Sequence, residues 1–343
     1  MRKPSKPSTS NTLALILTTE KLNLHPRNKH RGRYDFALLC QACPALTKFV
    51  QPNAYSDLSI DFANAQAVLA LNKALLITHY DITYWDLPNQ FLCPPIPSRA
   101  DYLHYLADLL DANKSSHHAK TGANVNILDI GVGANVIYPL IGQCEYGWRF
   151  VGADINPAAL QNAQAILNAN HGLADAITLR LQTNPAAIFN GVIQANDYFA
   201  ATMCNPPFHA SLNQAQASSQ RKLNNLALNS AKNSAVNAGK NADVEKKRNG
   251  KFVKANKPPM LNFGGQSAEL YCDGGELVFL TNMIKESSQF KNQCAWFTSL
   301  VSKAENLPKV YQALKKANVL RLKTIDMSQG QKKSRLVAWS YIK

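Results

Sequence analysis

The residues best suited to chemistry form the run Asn205, Pro206, Pro207 and Phe208, at the end of an apolar segment that predicts a β-strand. The side-chain oxygen of Asn205 and the carbonyl of Pro206 can both accept hydrogen bonds from one NH2 group, while the two prolines stiffen the backbone. Phe208 offers a ring on which a planar base could stack. These groups would hold a weakly nucleophilic amine, as in adenine or a carboxamide, in line with an electrophilic carbon. A proline-rich turn without chemistry is the alternative.

A second group of residues predicts a cofactor that contains a ribose. Gly131 and Gly133 stand where one predicted strand turns into a helix, and Asp154 lies near the end of the next predicted strand. Glycines at such a turn let the backbone approach a nucleotide, and a carboxylate about twenty residues later can accept hydrogen bonds from ribose hydroxyls. Dinucleotide-binding turns usually have a third glycine where this chain has Val136, which favours S-adenosylmethionine (SAM). NAD or FAD, and a tight turn without a cofactor, are the alternatives.

The hydrophobic pattern around these residues alternates between strand and helix periods. Predicted strands cover residues 126–131, 149–155, 177–182, 199–205, 295–301, 319–327 and 334–342. Predicted helices cover residues 60–77, 99–111, 133–142, 156–173, 276–288 and 307–317. The pattern predicts an α/β fold with a doubly wound, mostly parallel sheet and an antiparallel C-terminal hairpin. Residues 93–98 are rich in proline and predict a stop before the second helix.

The basic residues are concentrated in two segments. The whole chain has a formal net charge of +15, and residues 1–33 hold eight Lys or Arg against one acidic residue. Residues 211–260 hold ten Lys or Arg against two acidic residues, are rich in Asn, Ala and Ser, and show no apolar periodicity. Two basic segments on an otherwise near-neutral chain indicate a polyanionic partner. Solubilising tails are the alternative.

Longer segments carry a family resemblance, and they occur in the same order along the chain. They are residues 24–36, 99–106, 129–142, 204–211, 261–276, 296–308 and 329–335. In these segments the chain resembles the bacterial 23S ribosomal RNA adenine-N6 methyltransferases that act at position 1618 (the RlmF family), which are related to eukaryotic small-nuclear-RNA adenine-N6 methyltransferases. The resemblance covers about residues 21–343. Residues 211–260 depart from the family in being longer and richer in Asn and Ala.

The resemblance implies a Rossmann-like, SAM-dependent methyltransferase that forms N6-methyladenosine in 23S ribosomal RNA. It implies that Gly131 and Gly133 approach the cofactor, that Asp154 binds its ribose, and that Arg99 meets its methionine carboxylate. Asn205 would contact both the cofactor and the adenine. Pro206 and Phe208 would help to hold the adenine. A surface position at a helix start is the alternative for Arg99.

The resemblance also suggests which basic residues touch RNA. The candidates are His25, Arg27, Lys29, Arg31 and Arg33 near the N-terminus, Arg221 and Lys222 at the start of the basic insert, and Lys332 and Arg335 in the C-terminal turn. No metal is expected. Two other functions stay open: a protein glutamine N5-methyltransferase, and a non-catalytic RNA-binding or ribosome-assembly protein.

We expect four parts in the chain: a disordered tail at 1–20, an N-terminal helical, basic RNA-binding module at 21–98, a methyltransferase domain at 99–343, and within it a low-complexity insert at 211–260. The 46% of hydrophobic residues can form a sizeable core. No apolar run approaches the ~18 residues that a membrane-spanning helix needs. Seven cysteines without a disulfide or zinc pattern fit a reducing compartment. We therefore expect a cytoplasmic protein, not bound to membranes, acting as a monomer.

Overall fold

The computed structural model describes residues 21, 23–53, 55–111, 122–207, 272–329 and 332–343. The strands of this part are β1 (Val50–Pro52), β2 (Leu58–Ile60), β3 (Asn126–Ile130), β4 (Arg149–Asp154), β5 (Ile177–Leu181), β6 (Phe199–Cys204), β7 (Cys294–Val301), β8 (Arg321–Gln329) and β9 (Lys332–Ser340). The α-helices are α1 (Phe36–Ala42), α2 (Ala65–Tyr80), α3 (Ile96–Asp111), α4 (Ile137–Tyr146), α5 (Pro157–Asn168), α6 (Leu173–Ala176), α7 (Gly275–Ser287) and α8 (Leu307–Lys316).

Seven strands form one sheet in the spatial order β5-β4-β3-β6-β7-β9-β8. The five strands from β5 to β7 are parallel, and β9 runs antiparallel between β7 and β8. The predicted mostly parallel sheet with an antiparallel C-terminal hairpin is therefore confirmed. The small hairpin β1–β2 and helix α1 were not predicted, because these elements are too short to show a period.

Side-chain caps and prolines explain where several helices begin. Asn156 accepts hydrogen bonds from two backbone N–H groups at the start of α5, and Pro157 occupies its first turn, as the sequence predicts. Asn64 caps α2 in the same way, so this helix starts later than predicted and ends at Tyr80.

The proline-rich stop predicted at 93–98 is wrong in its last three residues, because α3 already begins at Ile96. Pro97 is tolerated there, since an N–H in the first turn of a helix has no partner within the helix. The predicted division of the chain at residue 98 falls inside this first turn. Buried residues from α1 to α4 pack with one face of the sheet in a single hydrophobic cluster, so the core continues across that position. The division itself stays a prediction.

The fold places the predicted chemistry at one edge of the sheet. The chain leaves β3 toward β4 on one side and reaches β6 on the other, so the strand order reverses between β3 and β6. In open α/β sheets, ligands bind outside the carboxyl ends of the strands at such a reversal. Because β8 runs parallel to β7, the end of β8 and the start of β9 lie at this same edge.

Other predictions fall on residues that the structure leaves out. The tail at 1–20, the insert at 211–260 and most of the segment 261–276 lie outside the described residues. Within the described part of the chain, no helix is both long and apolar enough to cross a membrane.

Candidate active site

The turn after β3 has the geometry that a bound nucleotide requires. Gly131 and Gly133 have φ of 73° and 67°, in the left-handed region that glycine enters without strain. The N–H groups of Gly131 and Val132 both donate to the carbonyl of Ala153 on β4, which fixes the turn against the neighbouring strand. A Cβ built on Gly131 would have no atom within 4 Å. The glycine therefore leaves open space on the cleft side that a ligand can fill.

The carboxylate of Asp154 lies beside this turn, as predicted. Its two oxygens accept hydrogen bonds from the N–H groups of Gly133 and Asn156, each at 2.9 Å. Burial raises the pKa of Asp154, although these N–H donors oppose the shift. Each carboxylate oxygen has further lone pairs, so the group can also accept hydrogen bonds from a vicinal diol.

Helix α3 contributes Arg99 to the lining of the cleft. Arg99 is 9% exposed, and its guanidinium carbon lies 5.4 Å from the centre of the Tyr138 ring. The fully buried Asp129 has no hydrogen-bond partner among the described residues for either carboxylate oxygen. Burial and the nearby charge of Asp154 raise the pKa of Asp129 well above its usual range, while Arg99 opposes the shift.

The residues after β6 complete the site. The side-chain oxygen of Asn205 is buried and has no hydrogen-bond partner in the part of the chain that is described. Asn205 and Pro207 line the cleft, and Pro206 between them is buried. Phe208 lies outside the described residues.

These residues line one cleft of about 780 Å³. Arg99, Gly131, Gly133, Asp154 and Asn205, all predicted from the sequence, come together in it. The cleft contains the carboxylate of Asp154, which can bind a ribose, the guanidinium of Arg99, which can pair with a ligand carboxylate, and the open turn at Gly131. These residues fit a nucleoside that carries an amino-acid tail, as SAM does. No group of three or more His, Cys, Asp or Glu residues that could hold a metal occurs in the described ranges.

Sequence reasoning missed several residues of the cleft. The main ones are Asn135, Tyr138 and Gln182. Tyr138 follows the glycine turn by five residues on α4, and this short distance is the one signal that could have found it. Gln182 was assigned to the predicted strand 177–182, but it stands just beyond β5, at the carboxyl edge where ligands bind.

The predicted RNA contacts near the N-terminus hold the basic segment 21–33 onto the body of the protein. His25 is 4% exposed, its backbone N–H donates to Asp101, and its ring lies 2.9 Å from a carboxylate oxygen of Asp108. Its side chain is thus not available to a phosphate in this conformation. Arg27 also pairs with Asp108, at 2.7 Å.

The other cations of this segment are nearer the surface. Lys29 pairs with Glu145 and Arg33 with Asp57, at 2.8 and 2.7 Å, and both cations remain exposed. Arg31 is half-buried. Exposed ion pairs of this kind are worth little and exchange partners easily.

The remaining predicted RNA contacts lie elsewhere or outside the described part. Arg335 is half-buried on β9, 3.6 Å from a carboxylate oxygen of Asp326. Lys332 begins β9, but its side chain is not among those described. Arg221 and Lys222 lie outside the described residues. The hydroxyl of Ser328, near the β8–β9 turn, donates to the carbonyl of Asn23, so the basic segment reaches the site edge of the sheet.

Known proteins resemble the chain over nearly its whole length. A family model described as RNA methyltransferase matches residues 18–343. The ribosomal RNA large subunit methyltransferase F of Methylobacillus flagellatus is 57% identical over 325 residues, which cover 95% of this chain and 94% of that protein. The protein of the same name from Shewanella denitrificans is 52% identical over 341 residues, covering 99% of this chain and 89% of that protein.

Solved structures give the same fold. The catalytic domain of human METTL16, in complex with the MAT2A 3′UTR hairpin 1, superposes with a TM-score of 0.72 at 25% identity and covers 93% of this chain and 96% of that one. The N-terminal domain of human METTL16 in complex with SAH has a TM-score of 0.68 at 23% identity, covers 93% and 99% of the two chains, and supports the fold alone. The family model, the relatives that share half of its sequence and the common fold all agree. The chain therefore belongs to the ribosomal RNA large subunit methyltransferase F family of RNA methyltransferases.

Proposed function

We propose that the protein transfers a methyl group from SAM to N6 of one adenine in 23S ribosomal RNA, at position 1618 by family resemblance. The observation that carries the proposal is the buried side-chain oxygen of Asn205, which has no hydrogen-bond partner among the described residues and lies in the cleft that also contains Gly131 and Asp154. A buried acceptor without a donor costs free energy in the folded protein. An incoming amine would remove this cost, because it would supply the missing donor.

Each side chain of the cleft would have a defined task. Asp154 would hold the ribose hydroxyls, the open turn at Gly131 would allow close approach of the backbone, and Arg99 would pair with the amino-acid carboxylate. SAM would supply an electrophilic methyl group on a positively charged sulfur. The adenine nitrogen would form a bond to this carbon as the bond from carbon to sulfur breaks and leaves a neutral thioether, and the nitrogen would then lose a proton to solvent.

Asn205 would orient the acceptor amine. Its oxygen would accept a hydrogen bond from one N–H of the adenine amine, and the Pro206 carbonyl would accept a hydrogen bond from the other N–H. These dipoles would hold the nitrogen in line and stabilise the positive charge that develops on it. Phe208 would stack on the base, which must leave its helix to reach the cleft.

The RNA would approach the carboxyl edge of the sheet. Segment 21–33 meets this edge where the Ser328 hydroxyl, near the end of β8, bonds to Asn23, and the insert 211–260 follows β6 in the sequence. Exposed cations of the segment, such as Arg33, would bind phosphates through counterion release, which carries no sequence information. We also propose that the protein acts as a monomer in the cytoplasm, on RNA or on an assembly intermediate of the large subunit.

The test is nucleoside mass spectrometry of ribosomal RNA after incubation with the protein and methyl-labelled SAM. We expect label in N6-methyladenosine at one position, and roughly 10²–10³-fold less of it at early reaction times with the Asn205→Ala variant. Label in protein that survives RNase treatment would indicate a glutamine methyltransferase instead. Calorimetric titration that detects no SAM binding would indicate a non-catalytic RNA-binding protein.

A further inference from the structure

Helix α3 places a tyrosine hydroxyl where two strands of the sheet separate. The pairing of β6 with β7 ends at Thr202 and Phe297, before β6 itself ends at Cys204. The N–H of Cys204 donates to the hydroxyl oxygen of Tyr102, at 3.3 Å. On the side of β6 that faces β7, the N–H of Cys204, the last residue before Asn205, is thus bonded to a side chain and not to a neighbouring strand.

The polarity of the hydrogen bonds in this gap is determined. The hydroxyl of Thr298 donates to the carbonyl of Thr202, at 2.7 Å. Thr298 has no second proton, so Tyr102 must be the donor in the 2.8 Å bond between the two hydroxyls. The chain therefore runs from the Cys204 N–H through two hydroxyls to the Thr202 carbonyl and closes on β6. All of these groups are fully buried, so the loss of one hydrogen bond leaves a polar group without a partner and costs free energy of folding.

The same tyrosine connects this strand end to the cofactor side of the cleft. Tyr102 follows Arg99 by three residues, which places both on one face of α3. The Tyr138 ring contacts both of them, edge-on to Tyr102 at 5.5 Å between ring centres and 5.4 Å from the Arg99 guanidinium carbon. Tyr102 thus lies in contact with both the Arg99 side of the cleft, through Tyr138, and the end of β6.

We propose that Tyr102 is a positioning residue for methyl transfer: through the Cys204 N–H it sets the direction in which Asn205 presents its oxygen to the acceptor amine. The inference rests on the proposed function, because it assigns an acceptor to Asn205. Thr298 completes the arrangement by orienting the Tyr102 hydroxyl. Burial raises the pKa of Tyr102 well above its usual range, so its hydroxyl keeps the proton that this chain requires.

Two variants test the proposal in the full-length protein. Tyr102→Phe removes the acceptor of the Cys204 N–H, and we expect kcat for RNA methylation to fall about tenfold, with KM for SAM and RNA within about twofold. Thr298→Ser keeps the hydroxyl and should keep kcat. The matched control is Tyr341→Phe, which removes a tyrosine hydroxyl bonded to Ser287 at 2.9 Å, on the residue that follows β9 at the opposite edge of the sheet.

A second readout needs neither SAM nor RNA. In Tyr102→Phe the Cys204 amide should exchange its hydrogen at least about tenfold faster than in the parent or in Tyr341→Phe. Unchanged kcat in Tyr102→Phe, alongside an active parent, would overturn the inference, as would an unchanged exchange rate at Cys204. A parent protein that methylates no RNA would instead refute the proposed function, and the exchange measurement would still decide whether Tyr102 holds the strand end.

Discussion

Replacing Asn205 by alanine should separate catalysis from stability. The side-chain oxygen of Asn205 is buried without a partner in the described structure, and such a group costs about 1–3 kcal/mol in the folded state. Alanine removes this cost together with some packing, so we expect the free energy of unfolding to stay equal or to rise by up to about 1 kcal/mol. Loss of one such oriented dipole should lower kcat by roughly 10²–10³-fold.

Three measurements on purified protein check this expectation. Thermal unfolding reports stability, calorimetry with SAM reports cofactor binding, and single-turnover methylation of RNA reports the chemical step. We expect an unchanged or higher Tm, a SAM dissociation constant within a few fold of the parent, and a large loss in rate. The control is Thr78→Val, which removes another buried oxygen for which the described part of the chain offers no hydrogen-bond partner, on helix α2 outside the cleft. It should raise Tm slightly and leave the rate unchanged.

Two results would contradict the reasoning. A variant that unfolds several degrees below the parent would mean that the Asn205 oxygen has a stabilising partner in the folded protein. A variant that methylates RNA at the parent rate would mean that another group orients the amine.

The remaining predictions concern the cofactor, the core and the RNA. Asp154→Asn should raise the SAM dissociation constant roughly 10–100-fold in calorimetry, because an amide accepts through one oxygen only and turns its NH2 toward a backbone N–H. Since burial raises the pKa of Asp154 and the ionised form is the better acceptor, SAM affinity of the parent should fall as pH drops through this raised value. Gly142→Ala should destabilise the fold by about 1–3 kcal/mol, measured by urea unfolding, because its Cβ would overlap the buried Phe150 ring; equal stability would refute the contact. Arg33→Gln should reduce the salt slope of RNA binding by about 1, whereas Asp57→Asn should tighten binding by releasing Arg33; unchanged affinity in both would remove this residue from the interface.

The cofactor half of the site could be predicted because its residues are close in sequence to strand ends. Gly131, Asp154 and Asn205 each stand at the end of a predicted strand, and parallel strands bring their carboxyl ends to one edge. The hydrophobic pattern identifies those strands within one or two residues. The order of glycine turn, acid and Asn-Pro-Pro then determines which cleft they form.

The supporting contacts could not be predicted, because they join positions far apart in the chain. Tyr102 and Cys204 are separated by 102 residues, and Tyr102 and Thr298 by 196. In the sequence Tyr102 is one apolar position among several on a helix, typical of a core residue. Only the fold shows that its hydroxyl reaches a backbone N–H at the end of β6.

In the basic N-terminal segment, charge alone does not distinguish a cation that binds RNA from one that holds the fold. The resemblance implies that His25 to Arg33 bind phosphates, and in the structure His25 is buried and Arg27 pairs with an acidic residue of α3. Deleting residues 1–33 would therefore expose Asp101 and Asp108 as well as remove cations, and a loss of RNA binding would not identify its cause. Single exchanges at exposed cations, such as Arg33, avoid this ambiguity.

Helix α3 links three tasks that sequence analysis assigns to separate parts of the chain. Asp101 accepts the His25 N–H of the basic segment, Arg99 faces the cofactor cleft, and Tyr102 holds the end of β6. The start of α3 was predicted too late because Pro94, Pro95 and Pro97 indicate a stop, although Pro97 lies in the first turn of the helix, where a proline is tolerated. One helix therefore contacts the basic segment, the cleft and the strand end that precedes Asn205.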